Sequence, residues 1–255
     1  MNFTILKARF LFKVILRWIA DESLIGTAPG LSIRPRKIPK HLFSKDCNLI
    51  FFSRNHSEDR GNVPGWGFWA SETKSFLASN YENANLTNDY DTRFNTSLLG
   101  PCNTAFYGYD QGKPCVYLKL NKIYGLKNIP FNDSSQLPED MSENLKEIVY
   151  EQDDRDNVWV DCQGKNSEDV DDLGPMKYYP SNQGFPMKYF PYLNQKGYES
   201  PLVAVQFLSP KFNVRIRIVC KAWAKNIDHD RNKKHGFPSG FFEFDLQIQD
   251  YDEQI

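Results

Sequence analysis

The cysteines and histidines are the residues of this chain whose types most readily support metal or redox chemistry. The cysteines are Cys47, Cys102, Cys115, Cys162 and Cys220. The histidines are His41, His56, His229 and His235. No two cysteines form a CxxC pair, and the histidines do not stand at zinc-ligand spacing from them, so the pattern argues against a structural zinc site. Two interpretations remain: scattered reduced thiols, or two disulfides with one cysteine left over.

The segment GYDQGKPC, at 108–115, has the glycines and lysine of a phosphate-binding loop but not their spacing. That loop requires GxxxxGK[ST], whereas here Gly108 and Gly112 are too close together and Pro114 follows Lys113. A turn closed by a disulfide is the better interpretation of this segment.

His229 lies between Asp228 and Asp230, an arrangement that could exchange protons in general acid–base catalysis. No nucleophile motif such as GxSxG accompanies it, and lysines and arginines surround it. We therefore interpret this stretch as a charged surface turn.

Two acidic runs could supply the oxygen ligands that Ca²⁺ prefers. They are Asp153, Asp154 and Asp156, and Glu168, Asp169, Asp171 and Asp172. An EF-hand needs a glutamate at the twelfth loop position, and counting from Asp169 gives Pro180. We expect both runs to be solvated loops.

Four sequons of the form N-x-[ST] indicate the compartment. They are at Asn55, Asn85, Asn95 and Asn132, and a fifth at Asn2 lies very close to the terminus. N-glycosylation and stable disulfides both occur in the secretory pathway, so sequons near cysteines that can pair favour an extracellular product. The net charge of −1 offers no global basic field for nucleic acid.

An extracellular protein needs an entry signal, and the first residues do not supply an ordinary one. Lys7, Arg9, Lys13 and Arg17 interrupt the apolar residues of 2–20. A span needs about 20 mostly apolar residues, and one central Lys or Arg costs about 2.5–3.5 kcal/mol. Either this is a basic amphipathic helix that lies on an anionic membrane, or the expected start is missing or replaced; the second reconciles the segment with an extracellular domain.

From Cys115 onward the apolar residues recur with a period of two, which is typical of half-buried strands. The alternating stretches are 116–121, 158–162, 214–222 and 242–249, and the continuous run 202–208 suits a central strand. Several such strands between turn-rich segments predict an antiparallel β-sandwich. Cys162 and Cys220 each lie on the apolar face of a strand, so a bridge between them would join two strands inside the core.

The chain as a whole divides into three stretches. Residues 1–19 form the atypical basic and apolar start, 20–40 read as a connector, and 41–255 form the sandwich domain. We expect a short helix or two and loops in 41–100, and one further helix after Pro138, where Met141, Leu145, Ile148 and Val149 have helical spacing.

Six blocks of the sequence resemble the beta subunits of sodium/potassium-transporting ATPases, the insect type in particular. They are ADESLIGTAPGL (20–31), GYDQGKPCVYLKLNKIYG (108–125), VWVDCQG (158–164), GFPMKYFPY (184–192), SPLVAVQF (200–207) and VCKAWAKNIDHDR (219–231). The blocks stand in family order with family-like spacing, so together they are specific.

The resemblance implies a single-pass type II plasma-membrane glycoprotein with a signal-anchor and an extracellular, immunoglobulin-like sandwich with long loop insertions. It implies assembly with the catalytic alpha subunit of the pump, supporting that subunit's delivery and K⁺ affinity. It implies no catalysis, cofactor, metal, nucleic acid or small-molecule substrate for this chain. The alternative is an extracellular adhesion or junction module that works without a pump, and a secreted enzyme is a third hypothesis.

The resemblance also assigns residues. It pairs Cys102 with Cys115 and Cys162 with Cys220, whereas a first family disulfide has no counterpart here: its position falls on Thr92, and Cys47 has no family partner. It implies a glycoprotein, and the sequons themselves predict the sites as Asn55, Asn85, Asn95 and Asn132. It assigns contact with the alpha subunit to an aromatic set, namely Tyr178, Tyr189, Phe190 and Tyr192, although composition alone favours a loop packed on its own sandwich.

Overall fold

The computed structural model describes residues 30–36, 48–82, 93–131, 137–152, 155–229 and 240–250. These residues form nine β-strands: β1 (Leu31–Arg34), β2 (Leu49–Ser53), β3 (Cys115–Leu120), β4 (Asn157–Gly164), β5 (Met176–Tyr179), β6 (Gly184–Pro186), β7 (Val203–Phe207), β8 (Arg215–Trp223) and β9 (Phe241–Gln249). The α-helices among them are α1 (Trp66–Leu77), α2 (Glu143–Glu151) and α3 (Ser167–Leu173).

The strands form two sheets, which confirms the predicted sandwich. The four-stranded sheet has the order β1-β3-β7-β5, and the five-stranded sheet has the order β2-β9-β8-β4-β6. The pairing is antiparallel, as predicted, except that β2 runs parallel to β9. Parallel neighbours need a long connection between them, and strands β3 to β8 lie between these two strands in the chain.

The main core lies between the sheets, where the period-two alternation places its apolar residues. Val116 and Leu118 of β3 are fully buried, as are Ile218 of β8 and Leu246 of β9. Phe207 of β7 contacts Phe244 of β9 edge to face, with ring centroids 6.3 Å apart. Each such side chain stabilises the fold by about 1.5–3 kcal/mol, so the alternation alone accounts for much of the driving force.

A second apolar cluster covers the outer face of the five-stranded sheet. It consists of Phe131, Met141, Leu145, Val149, Trp159 and Trp223. Helix α2, the helix predicted after Pro138, supplies two of these residues, Leu145 and Val149. Its first turn is fixed by Ser142, whose hydroxyl accepts a hydrogen bond from the Leu145 N–H at 3.2 Å.

Both disulfides implied by the resemblance are present. Cys162 and Cys220 face each other on β4 and β8 with Cα atoms 4.0 Å apart, so this bridge joins neighbours within one sheet. The Cys102–Cys115 bridge closes the turn before β3. Within that turn Gly108 has φ of 77°, and a Cβ there would lie 2.1 Å from the Lys113 carbonyl oxygen, so only glycine fits.

Strand β1 falls within 20–40, where the sequence suggests a connector, and its pairing with β3 makes residues 31–34 part of the sandwich. Residues 1–19, Cys47 and most of the connector lie outside the described residues. In the described part of the chain, no helix is both long enough and apolar enough to cross a membrane.

One acidic run is not the solvated loop that we expected. Residues 167–173 form helix α3, capped by Asn166, whose side chain accepts from the Asp169 N–H at 2.8 Å. Asp169 is buried and accepts hydrogen bonds from the Arg217 backbone N–H at 3.0 Å and guanidinium at 3.1 Å. The helix turns this carboxylate toward β8, where it pairs with an arginine instead of solvent. Asp153 and Asp154 lie outside the described residues.

Candidate partner-docking surface

The aromatic segment 184–198 follows directly from the edge of the five-stranded sheet. It begins as β6, which pairs with β4, and continues as a short 3₁₀ turn over Met187–Tyr189. The segment then crosses to the end of β3, where the Gly125 N–H donates to the Tyr192 carbonyl at 2.9 Å. The sheet therefore fixes one end of the segment and the residues after β3 fix the other.

Tyr189 points into the domain. It is 3% exposed, its hydroxyl donates to the Arg93 carbonyl at 3.1 Å, and its ring centroid lies 6.3 Å from that of Phe94. Burial, followed by the nearby Glu199 carboxylate, raises the pKa of Tyr189. Its side chain holds the segment against residues 93–94.

Tyr178 lies apart from the other predicted contact residues, on β5. Its hydroxyl accepts a hydrogen bond from the Cys162 N–H at 2.9 Å and lies 3.3 Å from the Asp161 carboxylate. Burial, reinforced by the charge of Asp161, raises the pKa of Tyr178 well above its ordinary value. This tyrosine links β5, at the edge of the four-stranded sheet, to β4 of the five-stranded sheet.

Tyr192 and Phe190 lie at the outer part of the segment. Tyr192 is 8% exposed and stacks at a tilt against Tyr198, with ring centroids 4.9 Å apart. Phe190 is half-buried and lines a small cavity together with Tyr192 and Tyr198. The structure therefore brings Tyr189, Phe190 and Tyr192 into one segment, and their role in partner contact stays a prediction.

Two exposed apolar side chains, one within this segment and one beside it, were not anticipated from the sequence. Tyr124 is 65% exposed and Leu193 is 52% exposed. A parallel bridge between Tyr124 and Tyr192 places them next to each other. The sequence offers one weak indication that Tyr124 is exposed, namely its position before Gly125 in the turn after β3. The indication is weak because the exposure of Tyr124 depends on its pairing with Tyr192.

Lys122 places a cation over the same aromatic residues. Its Nζ lies 5.3 Å from the centroid of the Tyr192 ring and 5.2 Å from that of Tyr198. Burial lowers the pKa of Lys122 and raises the pKa of Tyr198 to about 12. We call Lys122, Tyr124, Phe190, Tyr192, Leu193 and Tyr198 the aromatic edge. It combines exposed apolar area with a positive charge, as recognition sites for apolar and acidic segments do.

Two of the four predicted glycosylation sites can be placed. Asn55 and Asn95 are both exposed, and the Asn95 side chain accepts a hydrogen bond from the Ser97 N–H at 3.0 Å. Asn85 and Asn132 lie outside the described residues. Glycosylation at all four sites stays a prediction.

The chain is similar to one protein family over most of its length. The family model of the sodium/potassium ATPase beta chain matches residues 70–241. A relative from Drosophila melanogaster, sodium/potassium-transporting ATPase subunit beta-2, is 36% identical over 245 residues, which cover 87% of this chain and 72% of the relative. Subunit beta-1 from the same organism is 34% identical, covering 84% of this chain and 69% of the relative. Subunit beta-1 of Tetronarce californica is 33% identical over 148 residues, 56% of this chain and 45% of the relative.

Proposed function

The chain belongs to the sodium/potassium ATPase beta-chain family, and from that premise we propose that it is the non-catalytic subunit of a Na⁺/K⁺-transporting P-type ATPase. In this role it binds the catalytic alpha subunit, supports its maturation and delivery to the plasma membrane, and tunes its K⁺ affinity. ATP hydrolysis and the transport of Na⁺ and K⁺ belong to the alpha subunit.

One observation carries this proposal. The family match at 70–241 runs from α1 to the first residue of β9 and includes both disulfides. The similarity thus covers the framework that shapes the aromatic edge and is not confined to one motif. A fold alone would not specify a function, whereas sequence similarity across this large part of the framework supports a shared one.

The mechanism that we propose is differential binding. A subunit that contacts one conformation of its partner more strongly shifts the partner toward that conformation, and about 1.4 kcal/mol of difference changes the ratio tenfold. Docking on the extracellular loops of the alpha subunit would favour its folded and K⁺-occluded states. The extracellular position of the domain and its signal-anchor topology are part of this proposal.

We propose two roles within the predicted contact set. Phe190 and Tyr192 line the aromatic edge and would contact the alpha subunit together with Tyr124 and Leu193. The hydrogen bonds that tie Tyr178 to Cys162 and Tyr189 to Arg93 support a role in holding the segment in place. Replacing Phe190 or Tyr192 should weaken assembly by removing a contact with the alpha subunit. Replacing Tyr178 or Tyr189 should weaken it by changing the shape of the loop.

The test is co-expression of the full chain, tagged at its C-terminus, with an alpha subunit in cells that lack their own beta subunit. We expect stoichiometric retrieval of the alpha subunit, its appearance at the cell surface, and inhibitor-sensitive uptake of Rb⁺, a K⁺ substitute. Cell aggregation without retrieval of any alpha subunit would contradict the proposal and favour an adhesion module instead.

A further inference from the structure

Three basic side chains near the aromatic edge have no acidic partner within the described parts of the chain: Arg34, Lys119 and Lys122. We call them the cation cluster. The Arg34 guanidinium donates to a backbone carbonyl, that of Ile33, at 2.7 Å. Buried charges in proteins are normally paired, so a group of unpaired cations points to an absent anion.

Lys119 is the most buried member of the cation cluster. It is 6% exposed and lies on the outer face of the four-stranded sheet, opposite Ser32 of β1. Its Nζ lies 6.0 Å from the centroid of the Phe76 ring, and the Arg34 Cζ lies 5.7 Å from the same centroid. Burial, followed by the like charges of Lys122 and Arg34, lowers the pKa of Lys119 to about 7.

One buried acidic side chain on this side of the domain, that of Glu199, is engaged elsewhere. Glu199 is buried close to Tyr81, Tyr189 and Phe94, and its Oε2 accepts a hydrogen bond from the Phe94 backbone N–H at 2.9 Å. Arg93 is the cation whose charge acts on this carboxylate. The domain therefore does not neutralise the cation cluster with Glu199.

Lys122 joins the cation cluster to the aromatic edge. Its Nζ lies over Tyr192 and Tyr198, and it lines the cavity beneath them. The volume of this cavity is about 10 Å³, which holds about one water molecule. An incoming group can place a single oxygen there while its neighbours cover the exposed Tyr124 and Leu193.

We propose that the cation cluster receives the carboxylate of an acidic side chain from an extracellular loop of the alpha subunit, flanked by an apolar side chain that covers Tyr124 and Leu193. This inference rests on the proposed function and names the chemistry of its partner surface. A carboxylate and a lipid phosphate can each place one oxygen in the cavity, so the cavity alone does not separate them. A protein loop is favoured because it supplies the apolar neighbour that a headgroup lacks.

The test compares charge variants of the full chain co-expressed with the alpha subunit. Lys122→Glu places like charges together, and we expect at least a tenfold lower yield of co-purified alpha subunit. Lys122→Arg keeps the charge and should stay within twofold of the unsubstituted chain. Lys127→Glu is the matched control, because Lys127 is exposed nearby and lies outside the cation cluster; it should also stay within twofold.

A second measurement does not depend on how well the variants fold. A water-soluble carbodiimide joins a lysine to a carboxylate that it touches, so mass spectrometry of the treated complex should find Lys122 or Lys119 linked to an Asp or Glu of the alpha subunit. Lys122→Gln should remove the Lys122 link, and the thermal unfolding of that variant shows whether it is folded.

The outcomes separate the two proposals. Retrieval of the alpha subunit by the unsubstituted chain, with Lys122→Glu equal to Lys127→Glu and no crosslink, overturns the carboxylate site and leaves the pump role standing. Binding to phosphatidylserine vesicles that Lys122→Glu abolishes, with alpha-subunit retrieval unchanged, overturns it in favour of a lipid headgroup. Failure of the unsubstituted chain to retrieve any alpha subunit overturns both proposals.

Discussion

The outer faces of the two sheets are covered in opposite ways. On the five-stranded sheet, α2 places Leu145 and Val149 over Trp159 and Trp223, and the result is an apolar layer. On the four-stranded sheet, the residues buried beneath Phe76 of α1 include the charged Lys119 beside Tyr117. The outer face of the five-stranded sheet is covered by apolar residues of the same chain. The outer face of the four-stranded sheet contains a buried charge that nothing in the described chain neutralises.

The difference can be expressed in energies. The indole N–H groups of Trp159 and Trp223 have no hydrogen-bond partner within the described residues, at a cost of about 1–3 kcal/mol each. A buried ammonium without a partner costs several kcal/mol. Because sequences keep such a cost where function requires it, we propose that the face carrying Lys119 serves recognition, whereas the apolar face serves stability.

The largest expected effect is on the five-stranded sheet. Replacing Cys162 and Cys220 together with Ala opens a loop with a sequence separation of 58 residues, and we expect the free energy of unfolding to fall by roughly 4 kcal/mol. The matched change at Cys102 and Cys115 opens one with a separation of 13 and should cost roughly 3 kcal/mol. Urea unfolding of the purified chains measures both changes. Equal losses of stability would show that the length of the closed loop does not determine which disulfide contributes more.

The next effect tests the apolar outer face. Leu145→Ala removes a fully buried side chain from the layer over Trp159 and should lower the free energy of unfolding by about 3 kcal/mol. Glu147→Ala, on the exposed side of the same helix, is the control and should change it by less than about 0.5 kcal/mol. A loss below 1 kcal/mol at Leu145 would mean that the layer contributes little to stability.

A change of stability of the opposite sign is expected on the outer face of the four-stranded sheet, where Lys119 lies. Lys119→Met removes the buried charge and keeps the side-chain length, so the free energy of unfolding should rise by about 2 kcal/mol at pH 6.5. The same variant should retrieve less alpha subunit. A destabilised Lys119→Met chain would show that the ammonium already has a stabilising partner.

The pH dependence of stability follows from the same residue. The pKa of Lys119 falls from 10.5 to about 7 on folding, so between these values the unfolded chain binds more protons than the folded chain. Its contribution therefore makes stability rise with pH across that window, and the full cost is present below pH 7. Urea unfolding at pH 6.5 and 9 should show a smaller pH-dependent gain for Lys119→Met than for the unsubstituted chain; an unchanged gain would contradict the assignment.

The smallest expected effects distinguish buried from exposed tyrosines. Tyr189→Phe removes a hydrogen bond to the Arg93 carbonyl and should cost about 1 kcal/mol of stability. Tyr124→Ala, at a residue 65% exposed, should leave thermal unfolding unchanged and reduce retrieval of the alpha subunit several-fold. If both variants behave alike in both assays, burial does not separate positioning residues from contact residues.

Much of the sandwich could be predicted because its strands have one face in the core. The alternation in 116–121, 158–162, 214–222 and 242–249 appears as β3, β4, β8 and β9, and the apolar run at 202–208 contains β7. The short strands β1, β2 and β6 carry too few residues to show a period. Their place depends on pairing with distant strands, which local sequence does not encode.

The candidate site was predictable only in part. The aromatic segment was evident from its composition, but which tyrosines point outward was not. Nothing in the sequence next to Tyr189 or Tyr124 indicates which of them is buried, yet one is 3% and the other 65% exposed. That difference arises because residues 93–94 pack over Tyr189, whereas the pairing of Tyr124 with Tyr192 leaves its side chain at the surface.

The sequence by itself determined the family, the strands of the core and the two disulfides that the family resemblance implied, because these depend on side-chain type and on a period of two. Only the tertiary structure decided what covers the second face of each sheet. In 118–120 a lysine stands between two leucines, a pattern that places it on the solvent side of a strand; α1 covers that side and buries Lys119. The burial of a residue on that face depends on elements distant in the chain, and so the charged site became visible only in three dimensions.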